Sequence, residues 1–242
     1  MLRPLPGSSN SRRGCALAPD HIFDAWPERY DQWFQTPIGR LIRKYKSRVM
    51  LDLLQHASGE HILDAGCGTG VFTVDLLRQD ARVAGLEISR PMLLAARDKC
   101  QAALFRPVQG DMLALPFADG CFDNLVSMTA IKFIAEGRQA VQEMFRVTKK
   151  GGLVVVSTLN SRSPWAKRRK AKARDGDRIF QQMIFRSPEE LDALAPVPGE
   201  LRSAIHFQKN EQPAKARSLE QEGSDRGLMT GAFLAARWKK DS

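Results

Sequence analysis

The stretch Asp64-Ala65-Gly66-Cys67-Gly68-Thr69-Gly70 has the residue types and spacing to do chemistry. Glycines at alternate positions let a loop turn tightly and bring backbone N–H groups close to a ligand, because no Cβ stands in the way. Helical patterning resumes at Phe72, so the free N–H groups of a first helical turn point to the same place. A dinucleotide loop, GxGxxG, would need its third glycine where Val71 stands, and Asp64 beside the loop would repel a pyrophosphate. The spacing therefore argues against NAD, and the acid suits a ligand that carries positive charge. A second acid, Glu87 in Gly85-Leu86-Glu87-Ile88-Ser89, follows about 20 residues on, where a carboxylate accepts hydrogen bonds from both hydroxyls of a ribose.

The other reactive side chains form no constellation. Cys15, Cys67, Cys100 and Cys121 stand singly without CxxC spacing, as reduced thiols do. His21, His56, His61 and His206 are equally scattered, with no pair at metal-ligand spacing. With no Ser/His/Asp or Cys/His arrangement, no catalytic residue and no metal site are assigned.

The elements around the loop follow from periodicity. Thr36-Pro37 reads as an N-cap with proline in the first turn, and Ile38, Leu41, Ile42, Tyr45, Val49 and Leu53 continue at helical spacing. From His61 onward, short apolar runs alternate with helical stretches, and Leu153-Val154-Val155-Val156 is apolar on both faces. A central parallel strand covered by helices on both sides looks like that. The predicted fold is α/β: a doubly wound, mostly parallel sheet. Residues 201–207 and 228–238 read as two late strands joined by a polar stretch, with no helix between, forming an antiparallel C-terminal edge hairpin. Ser187-Pro188-Glu189-Glu190-Leu191 reads as a helix start.

Residues 61–159 resemble the class I S-adenosylmethionine-dependent methyltransferases, particularly the small-molecule branch similar to the ubiquinone and menaquinone C-methyltransferases. The glycine loop and Glu87 carry the resemblance together with Gln109-Gly110-Asp111-Met112, Leu115-Pro116-Phe117, residues 121–127 and Lys149-Lys150-Gly151-Gly152, where most relatives have Pro-Gly-Gly. It implies a Rossmann-like fold, S-adenosylmethionine as cofactor and a small or lipid-like methyl acceptor. It also implies a cofactor site drawn from Tyr30, Asp64, Gly66, Cys67, Gly68, Gly70, Glu87, Ile88, Asp111, Met112 and Ser127. Asp111 would face the adenine amino group, with Met112 beside the ring. Relatives acting on small molecules often carry a His pair after the fourth strand; this chain has Met128-Thr129-Ala130-Ile131-Lys132-Phe133.

The expected organisation is a flexible tail over 1–19 and one methyltransferase domain over 20–242. Within the domain, 20–57 forms a helical lid, 58–160 the cofactor-binding core, and 161–242 a substrate loop with the C-terminal strands. In the lid, Tyr30 and Trp33 would share a helix face over the methionine end of the cofactor. The net charge of +10 is concentrated in Lys167, Arg168, Arg169, Lys170, Lys172 and Arg174, read as a solvated basic loop. A nucleic-acid acceptor is the less favoured alternative, because neither an Asn/Asp-Pro-Pro-Tyr motif nor an RNA-binding module is present. A non-catalytic cofactor-binding scaffold is the other. No apolar run approaches the roughly 20 residues of a membrane span, and the N-terminus has no apolar signal core, so a cytoplasmic protein is expected.

Overall fold

The computed structural model describes residues 23–24, 26–101 and 103–241. The expected tail over 1–19, with Cys15, and also His21 lie outside the described residues. Nine helices are described: α1 (Pro27–Gln35), α2 (Pro37–Leu54), α3 (Thr73–Leu77), α4 (Arg90–Cys100), α5 (Gly137–Val147), α6 (Pro164–Arg174), α7 (Arg178–Gln181), α8 (Pro188–Asp192) and α9 (Pro213–Asp225). The strands are β1 (His61–Ala65), β2 (Arg82–Glu87), β3 (Phe105–Gln109), β4 (Asn124–Met128), β5 (Leu153–Asn160), β6 (Phe185–Arg186), β7 (Glu200–Ala204) and β8 (Phe233–Lys239). Their order is β3-β2-β1-β4-β5-β8-β7, with β6 beside the end of β5. The first five are parallel to one another, and β8 runs antiparallel to β5 and β7.

Burial explains why the sheet is central. On β1, Ile62 packs into one apolar layer and Leu63 into the other; on β5, Val155 goes one way and Val154 and Val156 the other. Each face is covered by helices, as a two-sided apolar strand requires. The sheet begins at an edge: β3 buries only Phe105 and holds Pro107, whose missing N–H is tolerated there.

The N-caps follow the sequence. The Thr36 side chain accepts from the Gly39 N–H, Ser89 caps α4, and Ser187 with Glu190 forms a full capping box.

Three expectations are corrected. The two late strands do pair antiparallel at the edge, but α9 stands between them. Its polar surface hides it, since only Ala216, Glu220 and Gly223 are buried. Glu220 holds it in place by accepting from the backbone N–H groups of Ile205 and His206 at 3.0 and 2.7 Å. The basic stretch is the helix α6, capped by Ser163 with Pro164 in its first turn. The second helix of the expected lid is core, since Met50, Leu53 and Leu54 of α2 are fully buried. Only α1 and the residues just before it border the cavity described next. Among the described residues no helix is long and apolar enough to cross a membrane.

Candidate active site

The carboxyl ends of β1, β2 and β4 and the turn after β3 open into one cavity of about 230 Å³. A cavity at this end of a parallel sheet is where a doubly wound fold places its ligand.

The glycine loop lines one side. Gly66 has φ +80°, and a Cβ there would collide with the Ala130 side chain and lie 3.0 Å from Met112 Cε. Gly68, at φ +57°, would meet only Met92 Cε at 3.6 Å, so its backbone is the part of the loop open to a ligand. Gly66 and Cys67 both donate to the Leu86 carbonyl, at 2.7 and 3.0 Å. Glu87 fastens the loop to α4: its carboxylate accepts from the Gly68 N–H and the Ser89 N–H, each at 3.0 Å.

Asp64 sits beneath the loop, 1 % exposed. Its Oδ2 accepts from the Thr73 hydroxyl at 2.7 Å, while Oδ1 is buried without a partner. Burial pushes its carboxyl up from 3.8 to about 7; the Thr73 bond pulls the other way and the Glu87 charge adds to the rise. An unpartnered buried carboxylate oxygen facing a cavity is what a cationic ligand would satisfy. The linkage has a definite sign. Because the folded value is raised, the contribution to stability is complete below the unfolded value, near pH 4, and is lost as pH rises through about 7. We expect Asp64→Asn to melt higher than the parent at about pH 8 and the difference to shrink toward pH 5. Calorimetric melts of both ligand-free proteins across that range check this; a pH-independent difference would refute it.

The other expected site residues divide. Ile88, Asp111 and Met112 border the cavity, with Asp111 Oδ1 accepting from the Leu113 N–H at 2.9 Å. Cys67 borders it too, and burial holds its thiol well above its ordinary value, which disfavours the thiolate. Ser127 and Gly70 lie outside the lining. The Ser127 hydroxyl donates to the Ala65 carbonyl at 2.7 Å, and a Cβ on Gly70 would lie 2.8 Å from Cys100 Sγ. Both positions are set by packing between elements.

The N-terminal segment closes the cavity through Phe23, Trp26 and Tyr30. Two acids latch it: Asp24 accepts from the Ser89 hydroxyl, and Asp31 accepts from the Thr69 hydroxyl, each at 2.6 Å. Asp31 also pairs with Lys99 at 2.5 Å. Burial raises the Tyr30 hydroxyl well above its ordinary value, with the Asp31, Glu87 and Asp64 charges adding to the effect. Trp33 does not share this role. It borders a second, smaller cavity instead, while Phe34 between them is core and stacks edge-on to Phe72.

Lys132, to which sequence reasoning gave no individual role, also borders the larger cavity. It lies in a 3₁₀ turn (Ile131–Phe133) and is the only cation among the described residues lining the larger cavity. Burial, with the Arg169 charge, lowers its ammonium from 10.5 to about 7. The turn is braced from outside: Arg186 donates to the Ile131 and Ile134 carbonyls, both at 2.9 Å, and the Ile184 N–H donates to the Lys132 carbonyl at 2.7 Å. The chain enters it through Thr129 at φ +58°, a conformation costing a β-branched residue about 1–3 kcal/mol. The Ser157 carbonyl and hydroxyl accept the Thr129 N–H at 3.2 and 2.9 Å and hold it there.

Residues 63–156 match the family described as a methyltransferase domain. A malonyl-[acyl-carrier protein] O-methyltransferase of Erwinia pyrifoliae is 39% identical over 134 residues, covering 52% of this chain and 50% of that protein. The chain thus spans about half the length of such relatives. A phosphatidylethanolamine N-methyltransferase of Cereibacter sphaeroides is 31% identical across 77% of this chain and 98% of its own length. A Thermotoga maritima structure, described as a SAM-dependent methyltransferase and possible histamine N-methyltransferase, superposes with TM-score 0.67 at 22% identity. It covers 92% of this chain and 99% of that one. This chain belongs to the class I S-adenosylmethionine-dependent methyltransferases.

Proposed function

We propose that the protein transfers the methyl group of S-adenosylmethionine to a small or lipid-like acceptor, and that Lys132 takes up the proton the acceptor loses. The division of the cavity carries this reading. Asp64, Glu87 and Asp111 border it on one side, and Lys132 stands in a wall with Met128, Phe133, Ile134, Ile179 and Met183. The acidic side suits a cofactor with an ammonium, a sulfonium and a ribose. The apolar wall suits an acceptor with hydrocarbon to bury, and the relative aligned over nearly its whole length is named for phosphatidylethanolamine.

The cofactor supplies a methyl group bonded to positively charged sulfur, open to in-line displacement. Gly68 and Glu87 would hold its ribose and backbone, and the unpartnered Asp64 Oδ1 its charged amino-acid part. Asp111 and Met112 would border the adenine. Phe23, Trp26 and Tyr30 exclude water, so the acceptor meets the methyl group in fixed geometry. A lysine with its pKa near 7 is largely neutral at slightly alkaline pH and can accept a proton from a weakly acidic nucleophile. The free cysteines Cys67, Cys100 and Cys121 favour a reducing compartment such as the cytoplasm.

Calorimetry with S-adenosylhomocysteine and with NAD tests the cofactor. Release of S-adenosylhomocysteine, followed over a panel of amine, phenol, acid and phospholipid acceptors, tests the transfer. We expect S-adenosylhomocysteine to bind, NAD not to, and at least one apolar acceptor to turn over. NAD binding without S-adenosylhomocysteine binding overturns the reading. Cofactor binding with no transfer across the panel would make the protein a scaffold, and turnover of RNA alone a nucleic-acid enzyme.

A further inference from the structure

The smaller cavity, about 30 Å³, lies between α2, α6 and the ends of β5 and β8. Lys46 of α2 and Arg169 of α6 line it, with Trp33, Trp165 and Phe233 as aromatic walls. Lys46 is only 9 % exposed, and its Nζ lies 5.2 Å from the centre of the Phe233 ring. The Arg169 guanidinium lies 4.8 Å over the Trp165 ring, and its Nη1 is buried without a hydrogen-bond partner. Among the described residues neither cation meets a carboxylate.

Burying two like charges together is costly. Desolvation, with the charges of Lys132 and Arg169, drives the Lys46 ammonium well below its ordinary value. Burial, with the Arg168 charge, lowers Arg169 to about 10. The aromatic rings return about 1 kcal/mol per contact, less than the cost of an uncompensated buried ion. Two waters would fit in about 30 Å³, but water solvates the charges without neutralising them. A single oxyanion would do both, since a guanidinium fork and an ammonium present converging donors. Lys132 extends the same cluster to the wall of the larger cavity, near enough for its charge to act on Lys46.

We propose that Lys46 and Arg169 form an anion-binding subsite that takes a phosphate group of the methyl acceptor. The subsite rests on the methyl-transfer reading for its purpose. It gives the acceptor a chemical class: a phosphate-bearing molecule whose anionic end is held away from the reacting atom. Arg169 belongs here, while Lys167, Arg168, Lys170, Lys172 and Arg174 on the same helix face solvent. Bound phosphate would offset the Arg169 charge at Lys132, while burial, the larger cause of its lowered pKa, remains.

The test uses inorganic phosphate against chloride at matched ionic strength, on the full chain and on Lys46→Met and Arg169→Met. We expect phosphate to raise the melting temperature of the parent, and its affinity to fall about 10–100-fold in each variant. S-adenosylhomocysteine affinity should be unchanged. In chloride, Lys46→Met should melt higher than the parent, because it removes a buried unpaired cation; a lysine kept for structure would give the opposite. Should Arg169→Met fail to fold, Lys46→Met alone decides. Phosphate no better than chloride on the parent, or a phosphate effect retained in Lys46→Met, overturns the subsite. Phosphate binding without S-adenosylhomocysteine binding would leave the subsite and overturn the methyl-transfer reading; the reverse result does the opposite.

Discussion

Lys132→Met should lower kcat about 10²–10⁴-fold, the usual contribution of a positioned general base, while S-adenosylhomocysteine affinity stays within about threefold. The geometry explains the separation. Lys132 stands on the 3₁₀ turn after β4, whereas the acids of the expected cofactor site lie at the ends of β1 and β2 and in the turn after β3. Methionine keeps an unbranched apolar stem that reaches nearly as far and carries no titrating nitrogen. The pH profile is the sharper readout. The parent's kcat should rise with pH through about 7, where the ammonium loses its proton, and this limb should vanish in the variant. The charges bearing on Lys132 include Arg169 and Lys46, while Asp64, Glu87 and Asp111 line the same cavity. Asp64 titrates in the same range, so the profile must be taken at saturating cofactor, where its ionisation is fixed. Moving the limb without removing it would point to Asp64. A variant with unchanged kcat and profile would rule out Lys132 as the base.

Glu87→Ala should weaken cofactor binding by roughly 1.5–3 kcal/mol, the range for hydrogen bonds to a charged group. The variant loses two things: the candidate ribose acceptor, and the tie between the Gly68 and Ser89 N–H groups. Glu87→Gln keeps acceptor capacity at one oxygen and should fall between variant and parent. The domain should still fold, because the Leu86 carbonyl continues to accept from Gly66 and Cys67. Calorimetry with S-adenosylhomocysteine decides it. If Glu87→Ala binds as tightly as the parent, the carboxylate has no ribose role and only shapes the loop.

What could be read from the chain was chemistry that is local in sequence. The glycine spacing, the acid at each strand end and the proline-marked helix starts depend on neighbours within a few residues. Backbone sterics and capping then act the same way in any fold. The two-sided apolar run of β5 likewise announces a central strand, because no other position buries both faces. The tertiary structure decided which side chains meet across distant elements. Tyr30 and Trp33, three residues apart on one helix, part between two cavities because Phe34 anchors α1 in the core. Arg169 turns inward from a run of cations that otherwise faces water, and charge patterning alone does not single it out. α9 shows little apolar face and is held by one buried glutamate, so periodicity passes over it. Lys132 reaches the cavity wall because Arg186, Ile184 and Ser157, all distant in sequence, hold its turn there. Burial lowers its pKa, and burial is a property of the assembled fold.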